Sequence, residues 1–61
     1  MPLVTIKMFE GRSLDQKRGM VKDVTEAIAR NVGCPEQAVS IDIIEMKKED
    51  CAQGGKLYYD M

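Results

Sequence analysis

The chain predicts an α/β fold: a single βαβ unit with parallel strands, followed by a short C-terminal turn and strand. Three observations predict it. Pro2 to Phe9 alternate in polarity with period two, Leu14 to Val32 carry an apolar stripe at steps of three and four, and Val39 to Met46 alternate again. A strand, a helix of this length and a second strand form a right-handed crossover, which leaves the two strands parallel.

In the first strand Val4, Ile6 and Met8 face one way and Leu3, Thr5, Lys7 and Phe9 the other. Glu10-Gly11-Arg12 breaks the alternation with a glycine. Ser13 then opens S-x-x-Q with Gln16, a capping box in which the Ser13 hydroxyl accepts from the Gln16 amide and the Gln16 side chain reaches back. The helix is predicted from Leu14 to Val32. Its stripe reads Leu14, Arg18, Val21, Thr25, Ile28 and Val32, widened by Val24, while Asp15, Lys17, Lys22, Asp23, Glu26 and Arg30 fall mostly outside. Such a stripe faces a core. Lys22 and Glu26 stand at i,i+4, a spacing that allows an ion pair. Gly19 weakens a helix by about 1 kcal/mol relative to Ala, which predicts a close contact with another element there. Gly33 ends the helix as a left-handed cap, and Pro35 prevents continuation.

Pro35 to Ala38 makes a short turn. In the second strand Val39, Ile41 and Ile43 form one face and Ser40, Asp42 and Ile44 the other. Asp42 is read as an edge or solvent-facing carboxylate, because charges are rarely fully buried. Lys47 to Asp50 is a polar loop and Gln53-Gly54-Gly55-Lys56 a tight turn. Leu57-Tyr58-Tyr59 forms a short strand or arm whose aromatics are left for a partner surface.

Length and composition narrow the function. Sixty-one residues make one small domain, residues 1–61, and a lone chain of this size buries only roughly 60% of its unfolded surface. With one Phe and no Trp, self-association is the expected source of the missing core. Joining edges in pairs would give a four-stranded sheet with two helices on one side, and the layer still uncovered favours higher assembly. A net charge of −1 and the self-answered run Lys47-Lys48-Glu49-Asp50 exclude a nucleic-acid grip. Cys34 and Cys51, without any histidine, are too few for a structural zinc site. No apolar run approaches the roughly 20 residues of a membrane span, and no signal peptide is evident, so free thiols in a reducing cytoplasm are expected.

The chemistry-bearing stretch is Met1-Pro2. Initiator methionine is removed when the next residue is small, and proline qualifies. Pro2 would then carry a free secondary amine at the head of a strand. Desolvation disfavours the charged form of such an amine, lowers its pKa toward neutrality and fits it to exchange a proton at physiological pH. Met-Pro by itself also suits the plain start of an edge strand.

Taken together the residues resemble the 4-oxalocrotonate tautomerase family, the small βαβ members of the tautomerase superfamily. The resemblance is carried by Pro2 after Met1, E-G-R-S at Glu10 to Ser13, Gln16-Lys17, I-I-E-M at Ile43 to Met46, and Gly54-Gly55, in order over nearly the whole chain. It implies a homohexamer built as a trimer of dimers, with each active site centred on an amino-terminal proline and lined by neighbouring chains. It also implies a cofactor-free reaction in which the proline moves a proton between oxygen and carbon of an enol or dienol acid. Pro2 matches the general base and acid. Arg12 matches an arginine that reaches a substrate carboxylate, which a guanidinium grips in bidentate fashion. The plain alternative for Arg12 is a solvated residue at a helix start, where a cation is mildly unfavourable, and that small penalty slightly favours a functional reason for it.

Two positions depart from the family pattern. Its second arginine falls here on Ser40, which brings no charge to an enolate oxygen or a second carboxylate, so a monoacid enol of the phenylenolpyruvate kind becomes comparable to a dicarboxylate as substrate. Its pocket phenylalanine falls on Cys51, which leaves a wetter pocket and a smaller depression of the Pro2 pKa. Cys51 is a lining thiol and not a nucleophile, since no histidine stands by to activate it. Relatives that hydrate haloacrylates use a carboxylate where this chain has Gln53, which argues against that reaction. The expectation is an isomerase, a keto–enol tautomerase of a small 2-hydroxy or 2-oxo enoic acid, with Pro2 and Arg12 as catalytic residues and Ser40 and Cys51 lining the pocket. Val4, Ile6 and Leu57 are further lining candidates. The rival is a non-catalytic homo-oligomeric module that binds a ligand or partner on the same scaffold. The uncharged Ser40 favours it, and so would a retained Met1.

Overall fold

The computed structural model describes all of residues 1–61. Its first strand, β1, spans Leu3–Phe9; helix α1 spans Leu14–Val32; and β2 spans Ser40–Met46. β1 and β2 pair in parallel with Leu3 opposite Ser40 and Phe9 opposite Met46, as a crossover requires. A short hairpin, β3 (Ala52–Gln53) and β4 (Lys56–Leu57), closes the chain with a 3₁₀ turn at Tyr58–Asp60. The intervening segments Glu36–Ala38 and Lys48–Asp50 are single 3₁₀ turns. No helix is long and apolar enough to cross a membrane.

Local chemistry accounts for the helix ends. Ser13 Oγ accepts from the Gln16 amide at 3.1 Å and Gln16 Oε1 accepts from the Ser13 amide at 2.9 Å, both halves of the expected capping box. Gly33 is left-handed (φ 80°, ψ 38°), and its amide donates to the Ala29 carbonyl at 2.9 Å.

The helix-facing side of the sheet is Val4, Ile6 and Met8 against Ile41, Ile43 and Glu45, and all but Glu45 are half-buried. The opposing helix face is narrower than the predicted stripe. Lys17, Met20, Val21, Val24, Thr25 and Ile28 are half-buried, whereas Leu14, Arg18 and Val32 are exposed. Length explains the ends: 19 helical residues run about 28 Å and seven strand residues about 23 Å, so the helix overhangs the sheet. Lys17, expected outside the stripe, lays its stem on the sheet and pairs its ammonium with Glu45. Arg18 instead points outward and pairs with Asp15 at 2.8 Å. Lys22 and Glu26 form no ion pair, and a Cβ built on Gly19 meets nothing within 4 Å, so neither expectation for those positions holds within the protomer.

Tyr58 is also placed differently from the sequence reading. It stacks edge-on against Phe9 (centroids 5.3 Å apart, 61° between planes) and donates its hydroxyl to Gln53 Oε1 at 2.9 Å, pinning the hairpin to the end of β1. Tyr59 alone remains free, 70% exposed. Gly54 and Gly55 both have positive φ (62° and 83°), the conformation a two-residue hairpin turn requires.

The protomer has no fully buried residue. It measures 42 × 25 × 13 Å with a radius of gyration of 14.7 Å, whereas a compact chain of this length would have about 10.5 Å. Its surface of 4824 Å² likewise exceeds the roughly 4,000 Å² of a compact monomer of its mass. Leu3 and Ile44 stand exposed on the sheet face away from the helix.

Candidate active site

The candidate residues divide between the two ends of the sheet. Pro2 lies half-buried just before β1, and its carbonyl accepts from the Ser40 amide at 3.1 Å, which extends the parallel ladder by one step. Ser40 is therefore adjacent to Pro2, with its side chain exposed on the face turned away from α1. Arg12 lies at the other end, in the β1–α1 connection, and is exposed. Gly11 directs the chain there through φ 116°, a conformation strained for any L side chain. Cys51 shares the Arg12 end. It is half-buried, with Sγ 3.7 Å from Met46 Sδ and its carbonyl accepting from the Tyr58 amide at 2.9 Å. Asp42 is exposed on the outer face opposite Thr5, in keeping with its reading as a solvent-facing carboxylate.

Seven strand residues separate Pro2 from the Arg12 turn, about 23 Å of extended chain. A proton-transfer group and a carboxylate grip must lie within one small acid of each other. One protomer brings Pro2 to Ser40 and leaves Arg12 at the opposite end, so the two can meet only across chains.

Concave surface gathers at the Arg12 end. A cavity of about 520 Å³ is lined by Met8, Phe9, Glu10, Gly11, Arg12 and Lys48. One of about 210 Å³ lies between Arg12, Gln16 and Lys17, floored by Met8 and Met20. A third, of about 330 Å³, adjoins the first across Phe9, Glu10 and Lys48 and reaches Tyr59. Arg12 thus faces two cavities, and Pro2, Ser40 and Cys51 face none. Phe9 and Lys48 were not among the residues singled out from sequence. Phe9 reads as an ordinary strand residue and Lys48 as half of a solvated lysine pair, and nothing local to either announces a cavity.

Arg12 takes part in none of the three ion pairs, which join Lys17 to Glu45, Arg18 to Asp15, and Lys47 to Glu49. Its guanidinium is available to an acid.

Fold and site together define a small parallel βαβ protein whose candidate reagents lie at opposite ends of one strand. The family model described as tautomerase enzyme matches residues 2–61, and the chain belongs to that family. It is 46% identical to the 2-hydroxymuconate tautomerase of Bacillus subtilis (strain 168) over 61 residues, all of this chain and 98% of the relative. The crystal structure of YwhB, a homologue of 4-oxalocrotonate tautomerase, superposes with a TM-score of 0.93 at 45% identity over 98% of each chain. A 4-oxalocrotonate tautomerase isozyme structure from Methylibium petroleiphilum superposes with a TM-score of 0.86 at 34% identity, over 95% of this chain and 94% of that one. The expected resemblance and fold are borne out. The chain is a tautomerase, an isomerase acting on small molecules, and the non-catalytic alternative gives way.

Proposed function

We propose that this tautomerase interconverts enol and keto forms of a small 2-hydroxy/2-oxo enoic acid, using the amine of Pro2 after removal of Met1. The neutral amine takes the proton from the enol hydroxyl, and the resulting ammonium returns it to carbon, giving the ketone without net change in the enzyme. Arg12 of a neighbouring chain grips the carboxylate with two parallel hydrogen bonds and disfavours protonation of the amine beside it. Ser40 and Cys51 line the site, and the assembly is a homohexamer, a trimer of dimers.

The observation that carries this reading is the distance between the ends of β1. Pro2 and Arg12 serve one substrate only if chains associate, and the protomer, with no fully buried residue, has every physical reason to associate. Met1 supports it from the other side. It is 90% exposed, so an aminopeptidase can reach it and its removal sacrifices no packing.

The test follows ketonisation by ultraviolet absorbance with two probes, the diacid 2-hydroxymuconate, suggested by the relative's name, and the monoacid phenylenolpyruvate. Protein of proven intact mass lacking Met1 should turn over at least one of them. Pro2→Ala should lower kcat by about a hundredfold or more, the usual contribution of a positioned acid–base group. Arg12→Ala should raise KM about tenfold, as expected for loss of a charge-assisted contact. Full activity in protein that retains Met1 would exclude Pro2 as the base.

A further inference from the structure

We propose that Lys48 is a second carboxylate-binding residue, acting with Arg12 on the same substrate carboxylate. The inference rests on the reading of Arg12 given above and adds a residue to it.

Thirty-six positions separate Arg12 from Lys48, and the sheet brings them to one cavity. Phe9 pairs with Met46 at the last step of the ladder, and the Glu10 amide donates to the Met46 carbonyl at 3.0 Å. That bond holds the β1–α1 connection beside the chain leaving β2. The 3₁₀ turn Lys48–Asp50 then sets Lys48 on the wall of the 520 Å³ cavity with Arg12.

Charge decides what the cavity accepts. Lys47 is drawn to Glu49 at 4.0 Å, whereas Lys48, like Arg12, has no carboxylate within ion-pairing distance. Glu10 is the one acidic residue on the cavity wall, and it forms no ion pair. Two cations against one carboxylate leave the cavity net positive, so it attracts an anion. The guanidinium supplies a planar bidentate fork and the ammonium a compact charge on a flexible stem, two donors that share one carboxylate without competing for the same geometry. Ser40 sits at the far end of the sheet and carries no charge, so within the protomer the unpaired cation beside Arg12 is Lys48.

Steady-state kinetics on the Met1-free enzyme test the assignment, with phenylenolpyruvate and 2-hydroxymuconate as probes. Lys48→Gln is expected to raise KM for both acids about tenfold, the loss of one charge-assisted contact, with kcat changed by less than about threefold. Lys48→Arg should restore most of the affinity, and Lys47→Gln should behave as wild type. In an Arg12→Ala background the effect of Lys48→Gln should shrink, because residues on one carboxylate are not additive. An unchanged KM in Lys48→Gln, beside a raised KM in Arg12→Ala, would overturn the proposal and leave the Arg12 reading intact. An unchanged KM in Arg12→Ala would overturn both. An effect confined to the diacid would assign Lys48 to a different carboxylate and refute the shared grip. Circular dichroism of each variant, with the Lys48→Arg rescue, separates loss of binding from loss of fold.

Discussion

At the scale of single residues, the proposed chemistry turns on how hard it is to charge the Pro2 amine. Only the neutral amine accepts a proton, so kcat/KM for ketonisation should fall as the pH drops through its pKa. Any change that favours the ammonium moves that acid limb to higher pH, and any change that disfavours it moves the limb lower. Arg12→Ala removes a cation and should shift the limb upward. Cys51→Phe should dry the pocket and shift it downward. A pH–rate profile of each variant reads both shifts, and movement in the same direction would contradict the electrostatic account. Pro2 stands out in the sequence because a terminal proline would carry a secondary amine, and Arg12 because it falls in the E-G-R-S stretch that resembles the family. Lys48 does not. Its neighbours Lys47, Glu49 and Asp50 give the run the look of a solvated turn, and only the pairing of Phe9 with Met46 gives it a cavity to face.

The elements follow local rules closely, and their exceptions have local causes. Helix α1 begins and ends where the Ser13–Gln16 box and Gly33 place it, because capping satisfies backbone groups within one turn of the chain. Its stripe falls short of the pattern at Leu14 and Val32, since periodicity does not reveal that a 19-residue helix overhangs a seven-residue strand, and at Arg18, which turns outward to Asp15 while Lys17 takes the sheet face. The hairpin depends on two consecutive left-handed glycines. Gly54→Val places a β-branched residue at φ 62° and should cost about 1–3 kcal/mol of strain. Release of that strain loosens the hairpin and with it the Phe9–Tyr58 contact. Near-ultraviolet circular dichroism should lose its tyrosine signal while the far-ultraviolet helix signal persists. Retention of both would mean that the hairpin is held by something other than its turn.

For the whole molecule the governing quantity is surface. A slab 13 Å thick with no buried residue cannot draw enough hydrophobic stabilisation from its own chain to offset ordering 61 residues. Association should therefore supply much of the stability, and the Tm should rise with protein concentration. Light scattering should give a mass six times the 6.9 kDa protomer if the hexamer is correct. Ile44→Asp introduces a charge on the exposed outer sheet face and should lower that mass and the activity together. Full activity in a monomeric variant would refute a site shared between chains.

The sequence by itself determined what is settled within a turn or a strand: the βαβ order, the helix limits, the glycine turn and the family resemblance. Those features rest on caps, periodicity and backbone conformation, whose partners lie a few residues away. The tertiary structure alone decided that Tyr58 locks the hairpin onto Phe9 and that Lys48 meets Arg12 across a cavity. Each of these depends on the register of two strands 37 residues apart, as in Leu3 opposite Ser40. Register is set by packing of the whole sheet against its helix, which no local stretch of sequence encodes.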